Sequence, residues 1–364
     1  MAPVLDVCIR GAGIVGRTLA LLLARERLRV GLVQGPPPPA RDVRAYALNA
    51  ASRQLLESVR AWPDAAHATP VRGMEVRGDE GGLVNFEAGA QAALAWIVDV
   101  PALEDRLNEA LRYQALVTPL EEPARAPLTV VCEGRMSATR DEFGVVYDVQ
   151  PYGQHAVAAR LGCEKPHGHV ARQWFQGGEI LALLPLGGEA GAQEVALVWS
   201  AGESRAAYLR QAPAAEFQQQ LKTLTGGALG ALTLRSDRAS WPLQLARADR
   251  WSGPGWALAG DAAHAVHPLA GQGLNLGLAD ARALAQVLHE REYWRTAGDA
   301  RLLRRYERAR KGDVLAMGAT TDGLQQLFAQ AHPAWAMFRN AGMRGFDASG
   351  PIKQWVVRQA AGRL

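Results

Sequence analysis

The chain has 364 residues, 48% of them hydrophobic and 21% charged, which allows a large buried core and is too long for one minimal domain. Its 40 Lys and Arg residues nearly balance 36 Asp and Glu residues, and the net charge of +4 is spread along the chain, which argues against nucleic-acid binding. Cys8, Cys132 and Cys163 form no CxxC pair and no metal-ligand spacing, so we expect no metal site. A reducing cytoplasm suits this cysteine content, and neither a signal peptide nor an apolar run of 18 or more residues is present, so we expect a cytoplasmic protein.

The first elements in chain order form a strand–helix–strand unit of about thirty residues, the length of a dinucleotide-binding βαβ unit. Residues 4–9 predict a buried strand, residues 18–24 a helix and residues 29–33 a second strand. The turn between the first strand and the helix is rich in glycine, which predicts close approach of the backbone to a ligand.

That turn carries the GxGxxG fingerprint, with Gly11, Gly13 and Gly16 enclosing Ile14 and Val15. The first glycine permits a tight turn, the second lets the backbone approach a pyrophosphate, and the third lets the helix pack closely on the sheet. The helix N-terminus then offers N–H groups and a partial positive charge to phosphates. The unit therefore predicts dinucleotide binding.

The second strand ends at Gln34, where this fingerprint normally has an acid that accepts hydrogen bonds from the adenosine ribose. An amide oxygen can accept one such bond but carries no charge, which predicts weaker binding. Residues 36–39 are four prolines, which predict a stiff loop.

A second glycine-rich segment follows a predicted strand at residues 256–259. It begins with Gly260 and Asp261 and continues to Gly277, where a long helix is predicted. An acid at a strand end can hold a polyol hydroxyl, and glycines at a helix start can present N–H groups to an anionic ring edge.

This second segment resembles the FAD motif of flavin-dependent aromatic-ring hydroxylases, and more narrowly that of the ubiquinone-biosynthesis hydroxylase family. The family pattern GDAAH, then HP, then AGQGLNLG stands here at residues 260–264, 267–268 and 270–277. The resemblance extends over nearly the whole chain, from the segment at residues 42–49 to a C-terminal helical signature at residues 339–343.

The resemblance implies an α/β fold like that of p-hydroxybenzoate hydroxylase, with a Rossmann-like FAD-binding domain, an antiparallel β substrate domain and C-terminal helices. Alternating residues 194–199 also favour strands in the second domain. We expect the segments of these three parts at residues 1–70, 101–150 and 246–290 for FAD binding, 71–100 and 151–245 for the β domain, and 291–364 for the helices.

The resemblance also implies site residues. Asp261 holds the ribityl chain, Arg44 reaches the FAD phosphates or the nicotinamide, and Pro268 shapes the oxygen site beside the ring. Pro268, Gly271 and Gln272 position the ring for catalysis, with no side-chain nucleophile. The full set of expected FAD contacts is Gly11, Gly13, Ile14, Val15, Gly16, Gln34, Arg44, Glu133, Gly260, Asp261, Gly271, Gln272, Gly273, Leu274 and Asn275.

Two further features depart from the family pattern. Glu133 replaces the aspartate of the family's Asp-Gly motif, and its extra methylene can shift a carboxylate by about an ångström, enough to disturb a fitted contact. Only a short connector stands at residues 113–131, where relatives usually carry a small β-meander. Together with Gln34, these features make weaker FAD binding the expectation.

The activity implied by the resemblance is hydroxylation of an aromatic ring through a C4a-hydroperoxyflavin, with NAD(P)H as reductant and O2 as oxidant. A polyprenylated phenol of ubiquinone biosynthesis is the implied substrate, and another aromatic compound is the alternative. A ubiquinone-biosynthesis complex and peripheral contact with the inner membrane are the partners that such a substrate implies.

Several alternatives stay open at this point. One is an FAD-dependent reductase of prenyl chains, and another is a non-catalytic or weakly flavin-binding family member that acts as an assembly partner. His264 and His267 are candidates for acid–base groups, although this type of enzyme needs no protein nucleophile. Trp174 and Trp199 predict either a substrate cavity or the core of the β domain.

Overall fold

The computed structural model describes residues 4–35, 42–78, 81–89, 93–188, 192–266 and 272–329, of which 316–329 are described as backbone only. The strands in chain order are β1 Val7–Arg10, β2 Val30–Val33, β3 Ala45–Leu48, β4 Ala68–Val71, β5 Gly73–Arg77, β6 Leu83–Glu87, β7 Ala95–Asp99, β8 Val117–Leu120, β9 Leu128–Val131, β10 Tyr147–Cys163, β11 Val170–Gln176, β12 Glu179–Leu186, β13 Glu194–Gly202, β14 Leu232–Leu234, β15 Ala239–Ala248, β16 Ser252–Gly253, β17 Trp256–Leu258 and β18 His264–Ala265. The helices are α1 Ile14–Arg25, α2 Ala50–Ser58, α3 Val100–Arg112, α4 Ala138–Glu142, α5 Glu203–Gln211, α6 Ala214–Thr225, α7 Gln272–His289 and α8 Ala300–Ala329.

The first sheet has six strands in the order β16-β17-β9-β1-β2-β8. All its pairings are parallel except that of the edge strand β16 with β17. Apolar side chains from β1, β2 and β9 pack against α1, α7 and α8 in one buried cluster. Such a buried parallel sheet directs the carboxyl ends of β1 and β17 to the same edge, where both glycine segments begin.

The second sheet has nine strands and is antiparallel except for the parallel pairing of β5 with β11. Strand β10 is its longest and pairs with β13, β14 and β15. Trp199 and Phe217 lie in the core between this sheet and helices α5 and α6. Trp174 belongs to the same cluster, so Trp174 and Trp199 are both residues of the buried core.

A third sheet of three antiparallel strands, β3-β7-β4, packs buried apolar residues against the nine-stranded sheet. Its buried residues pack with those of α1, α2 and α3. Arg160 of β10 ties this region to the nine-stranded sheet, because its guanidinium donates to the carbonyl oxygens of Val43 and Arg44 and to Asp99 Oδ1, each at 2.9 Å.

The predicted α/β fold, with a Rossmann-like parallel sheet, an antiparallel sheet and a C-terminal helix, is confirmed. A bare connector at residues 121–127 joins β8 directly to β9, as the shortened sequence there predicts. The domain boundaries stay a prediction, and the signature at residues 339–343 lies outside the described residues. Within the described part of the chain, no helix has the length and apolar character to cross a bilayer.

Candidate flavin-binding site

The first glycine turn brings three stretches of backbone into close contact. Gly11 has a φ of +106°, and a Cβ added there would lie 2.5 Å from the carbonyl oxygen of Cys132. A Cβ on Gly16 would lie 2.0 Å from the carbonyl oxygen of Gly11, so α1 could not pack this closely with a larger residue. A Cβ on Gly13, in contrast, would meet no described atom within 4 Å.

That open space at Gly13 lies at the N-terminus of α1. Gly13 caps the helix through its backbone, and its carbonyl oxygen accepts the N–H of Arg17 at 2.9 Å. The N–H groups of Ile14 and Val15 belong to the first helical turn, which has no intrahelical acceptors for them. An anionic phosphate fits such a cradle because both the donors and the helix dipole favour negative charge.

The second glycine segment leaves β17 through a 3-10 turn, Gly260–Ala262, which we call the Asp261 turn. Gly260 has a φ of +61°, a left-handed conformation that favours glycine. The Asp261 side chain is exposed to solvent, yet surrounding protein desolvates it and raises the pKa of its carboxyl above the ordinary value. The nearby positive charges of His264, Arg135 and Arg44 oppose this rise in the pKa without reversing it.

The two glycine segments converge on Val15. Its Cγ2 would lie 2.8 Å from a Cβ on Gly277 and 3.3 Å from a Cβ on Gly260. A Cβ on Gly277 would also lie 3.3 Å from the Cα of Gly260. The absence of side chains at these two glycines therefore lets the first turn of α1, the Asp261 turn and the start of α7 meet at one place.

At the start of α7, Gly273 faces open space and Leu274 faces the buried core. Gln272 is the first residue of this helix, and a Cβ on Gly273 would find open space among the described atoms. Leu274 packs against the core beside the three-stranded sheet. Pro268 and Gly271, the other residues expected near the ring, lie outside the described residues, as does His267.

Asn275 has a structural contact set that the sequence did not indicate. Its Oδ1 accepts the backbone N–H of Asn49 at 3.0 Å and the hydroxyl of Ser52 at 2.7 Å. Its Nδ2 donates to the carbonyl oxygen of Ala47 at 2.8 Å. The side chain thus fastens α7 to β3 and α2, and its expected FAD contact stays a prediction.

Gln34 follows β2 and Glu133 follows β9, the two strands that flank β1 in the six-stranded sheet. Gln34 is exposed after β2, and its backbone N–H donates to Leu120 at 2.9 Å. The Glu133 carboxylate accepts the hydroxyls of Ser137 and Thr139, both at 2.7 Å, and so closes the N-terminus of α4. Glu133, which is longer than the aspartate of the family pattern, therefore already has hydrogen-bond partners within the protein.

Arg44 is held by its own neighbour. Its Nε donates to both carboxylate oxygens of Asp42 at 2.9 Å, and these hydrogen bonds raise the pKa of the guanidinium further above its usual range. The Arg44 charge also acts on Asp261, where it favours the ionised carboxylate.

Two residues support the Asp261 turn from the side of β10. The Tyr147 hydroxyl donates to the backbone carbonyl oxygen of Asp261 at 2.8 Å, and burial, followed by the Asp261 charge, raises the pKa of Tyr147 to about 12. The Arg140 guanidinium lies 3.6 Å from the centroid of the Tyr147 ring. Arg140 ends the motif segment that contains Glu133, whereas no motif in the sequence includes Tyr147.

Asp280 of α7 is a further residue that the sequence reasoning missed. Its carboxylate accepts hydrogen bonds from the backbone N–H of Gly260 at 2.9 Å, from His264 Nε2 at 2.6 Å and from Arg310 Nε at 2.8 Å. The signal was available, because Asp280 interrupts an otherwise apolar helical face that includes Leu276 and Leu284. His264 is engaged by this acid rather than facing a substrate.

Comparisons with known proteins identify the family of this chain. A family model described as an FAD binding domain matches residues 104–318. The ubiquinone hydroxylase UbiL of Rhodospirillum rubrum is 31% identical over 99% of this chain and 90% of that protein. The 3-demethoxyubiquinol 3-hydroxylase of Escherichia coli is 30% identical over 98% of both chains.

A solved structure supports the fold independently. PqsL of Pseudomonas aeruginosa, crystallised with 2-aminobenzoylacetate, superposes with a TM-score of 0.79 over 94% of this chain and 100% of that chain, at 22% identity. The matches in sequence show that the chain belongs to the ubiquinone-biosynthesis family of FAD-dependent hydroxylases.

Proposed function

We propose that this chain binds FAD in the cleft between its two glycine segments and hydroxylates the aromatic ring of a polyprenylated phenol in ubiquinone biosynthesis. The observation that carries the proposal is the contact of Val15 with Gly260 and Gly277. This closeness of the first turn of α1, the start of α7 and the Asp261 turn supports the proposal, because a dinucleotide with a polyol linker needs helix N-termini and an acid near one another.

The residues of the two glycine segments fit FAD in chemistry. First-turn amides at Ile14 and Val15 bind the pyrophosphate beside Gly13, and the Gln34 amide accepts from the adenosine ribose. Asp261 accepts from the ribityl hydroxyls. Backbone N–H groups at Gln272, Gly273 and Leu274 stabilise negative charge at the pyrimidine edge of the ring.

Bound FAD supplies the redox chemistry, with NAD(P)H as the proposed electron donor and O2 as the source of the added oxygen. One oxygen atom enters the ring and the other leaves as water, so the overall reaction consumes one NAD(P)H and one proton. The protein orients the reactants and limits access of water, and Arg44 is the proposed contact for the phosphates or the nicotinamide.

The relatives' names support the substrate class, since both act in hydroxylation of ubiquinone or its precursors. A polyprenylated phenol partitions into membranes because each buried CH2 group contributes about 0.8 kcal/mol. Peripheral contact with the inner membrane, or delivery within a ubiquinone-biosynthesis complex, is therefore part of the proposal.

The test begins with the visible absorption spectrum of the purified chain, identification of released flavin by chromatography, and titration of the apo chain with FAD. We expect stoichiometric FAD and oxidation of NADH or NADPH that a short-chain prenylphenol stimulates. A colourless chain that cannot be reloaded would instead favour a non-catalytic assembly partner, and a product that gains hydrogen would favour a prenyl reductase.

A further inference from the structure

The Asp280 carboxylate is the point where three separate parts of the chain meet. Gly260 begins the Asp261 turn just after β17 of the six-stranded sheet, and His264 lies in β18 at the edge of the nine-stranded sheet opposite Arg247. Arg310 belongs to α8. One acid on α7 therefore joins the edges of both large sheets and the C-terminal helix.

This junction is almost completely withdrawn from solvent. The side chains of Asp280, His264 and Arg310 are 0%, 1% and 6% exposed, and Trp251 stacks on the His264 ring with centroids 4.8 Å apart. Burial alone would raise the pKa of Asp280, but the charges and hydrogen bonds of His264 and Arg310 outweigh it and keep the acid ionised.

A buried charged cluster is a poor device for stability alone, since well-packed apolar residues of the same volume are often as stable. What such a cluster does provide is a fixed orientation, because three donors hold the Asp280 carboxylate in place. One of those donors is the N–H of Gly260, whose left-handed φ of +61° sets the direction in which Asp261 leaves the strand.

We propose that Asp280, with His264 and Arg310, is a positioning cluster that fixes the Asp261 turn in the conformation that accepts FAD. The proposal rests on the proposed function for the identity of the ligand. The cluster itself touches no cofactor, and acts through Gly260 and through the pairing of β18 with the nine-stranded sheet.

The central variant is His264→Leu, which removes the imidazole donor while keeping an apolar side chain against Trp251. His264→Gln is its conservative partner, because a glutamine amide can place an N–H donor near the position of Nε2. Asp280→Asn keeps the shape of the acid and removes its charge. Tyr306→Phe is the matched control, since it deletes one buried hydrogen bond, from the Tyr306 hydroxyl to Leu258 at 2.8 Å, between α8 and the same strand.

Two quantities are measured on each folded variant: the dissociation constant for FAD, and hydrogen–deuterium exchange of the 258–266 segment in the apo chain. We expect His264→Leu and Asp280→Asn to weaken FAD binding by about tenfold or more and to speed exchange in that segment. His264→Gln should recover most of the affinity. Tyr306→Phe should lower the unfolding midpoint and change FAD affinity by less than about twofold.

Wild-type affinity and exchange in a folded His264→Leu chain would overturn the inference, as would an equal loss of affinity in Tyr306→Phe. A wild-type chain that binds no FAD would refute the proposed function instead. In that case unchanged exchange in His264→Leu would still refute the role of the cluster, because that measurement needs no flavin.

Discussion

Cγ2 of Val15 lies 2.8 Å from the position that a Cβ on Gly277 would occupy. This single contact joins the fingerprint at the N-terminus of the chain to a helix more than 250 residues later. It makes the closeness of α1 and α7 depend on a glycine in the interior of α7, where glycine otherwise costs about 1 kcal/mol relative to alanine.

Gly277→Ala should therefore weaken FAD binding and lower the free energy of unfolding by about 1–3 kcal/mol, the usual cost of overpacking. Urea unfolding and FAD titration measure both effects. Gly312→Ala in α8 is the control, because a Cβ there meets no described atom within 4 Å, and it should stabilise the chain by about 1 kcal/mol. A Gly277→Ala chain as stable as Gly312→Ala would show that the contact is not tight.

Gln34→Glu should strengthen FAD binding by about fivefold, because a charged acceptor forms a stronger hydrogen bond with the adenosine ribose than an amide does. Affinity for FMN should not change, since FMN has no adenosine ribose. Parallel titrations of the variant and the wild-type chain with FAD and FMN measure the difference. An equal gain for both flavins would place Gln34 away from the ribose.

Asp261→Asn should weaken FAD binding while stabilising the apo chain at neutral pH. The raised pKa of Asp261 means that the folded apo chain holds this proton more tightly than the unfolded chain, whose carboxyl has a pKa near 3.8. Stability from this group is complete below 3.8 and is lost as the pH rises through the folded pKa. Urea unfolding of both apo chains, from below pH 3.8 to neutral pH, measures their free energies of unfolding. The variant should become the more stable of the two as the pH rises.

The control for this comparison is Asp105→Asn, which changes an exposed acid on α3. Its unfolding curves should follow those of the wild-type chain across the same pH range. If the wild-type chain instead gained stability relative to Asp261→Asn as the pH rises, the pKa of Asp261 would be lowered on folding. That result would contradict the desolvation of its carboxyl.

Asn275→Ala should lower the free energy of unfolding of the apo chain by about 2–4 kcal/mol, because it leaves buried partners on Asn49, Ser52 and Ala47 without their hydrogen bonds. Urea unfolding without flavin measures this directly. Unchanged apo stability together with weaker FAD binding would mean that Asn275 acts mainly on the cofactor.

The fingerprint at residues 11–16 predicts the first βαβ unit because every step is local: an apolar strand, glycines at fixed spacing and a helix-forming run. The second glycine segment and its family resemblance predict the rest of the fold. The hydrogen bonds of Asn275 could not be predicted in this way. The motif includes the residue, but its partners lie more than 220 positions away in sequence.

The contacts of Asp280 illustrate the same limit in physical terms. An acid within an apolar helical stripe signals a buried partner, but its partners Gly260, His264 and Arg310 come from three different elements. His264 and Arg247 are opposite each other in the antiparallel strands β18 and β15. This strand pairing depends on tertiary structure and cannot be predicted from a local sequence pattern. The glycine motifs and the family resemblance therefore indicated the flavin site but not the Asp280 cluster beside it.

Hydroxylation by this chain is tested most directly by the mass of the product that the FAD-loaded chain forms from a short-chain prenylphenol, NAD(P)H and ¹⁸O2. We expect a phenol that has gained one hydroxyl group, with its new oxygen labelled by ¹⁸O. An unlabelled product, a product enriched only in hydrogen, or NAD(P)H oxidation that yields peroxide and unchanged phenol would contradict this expectation.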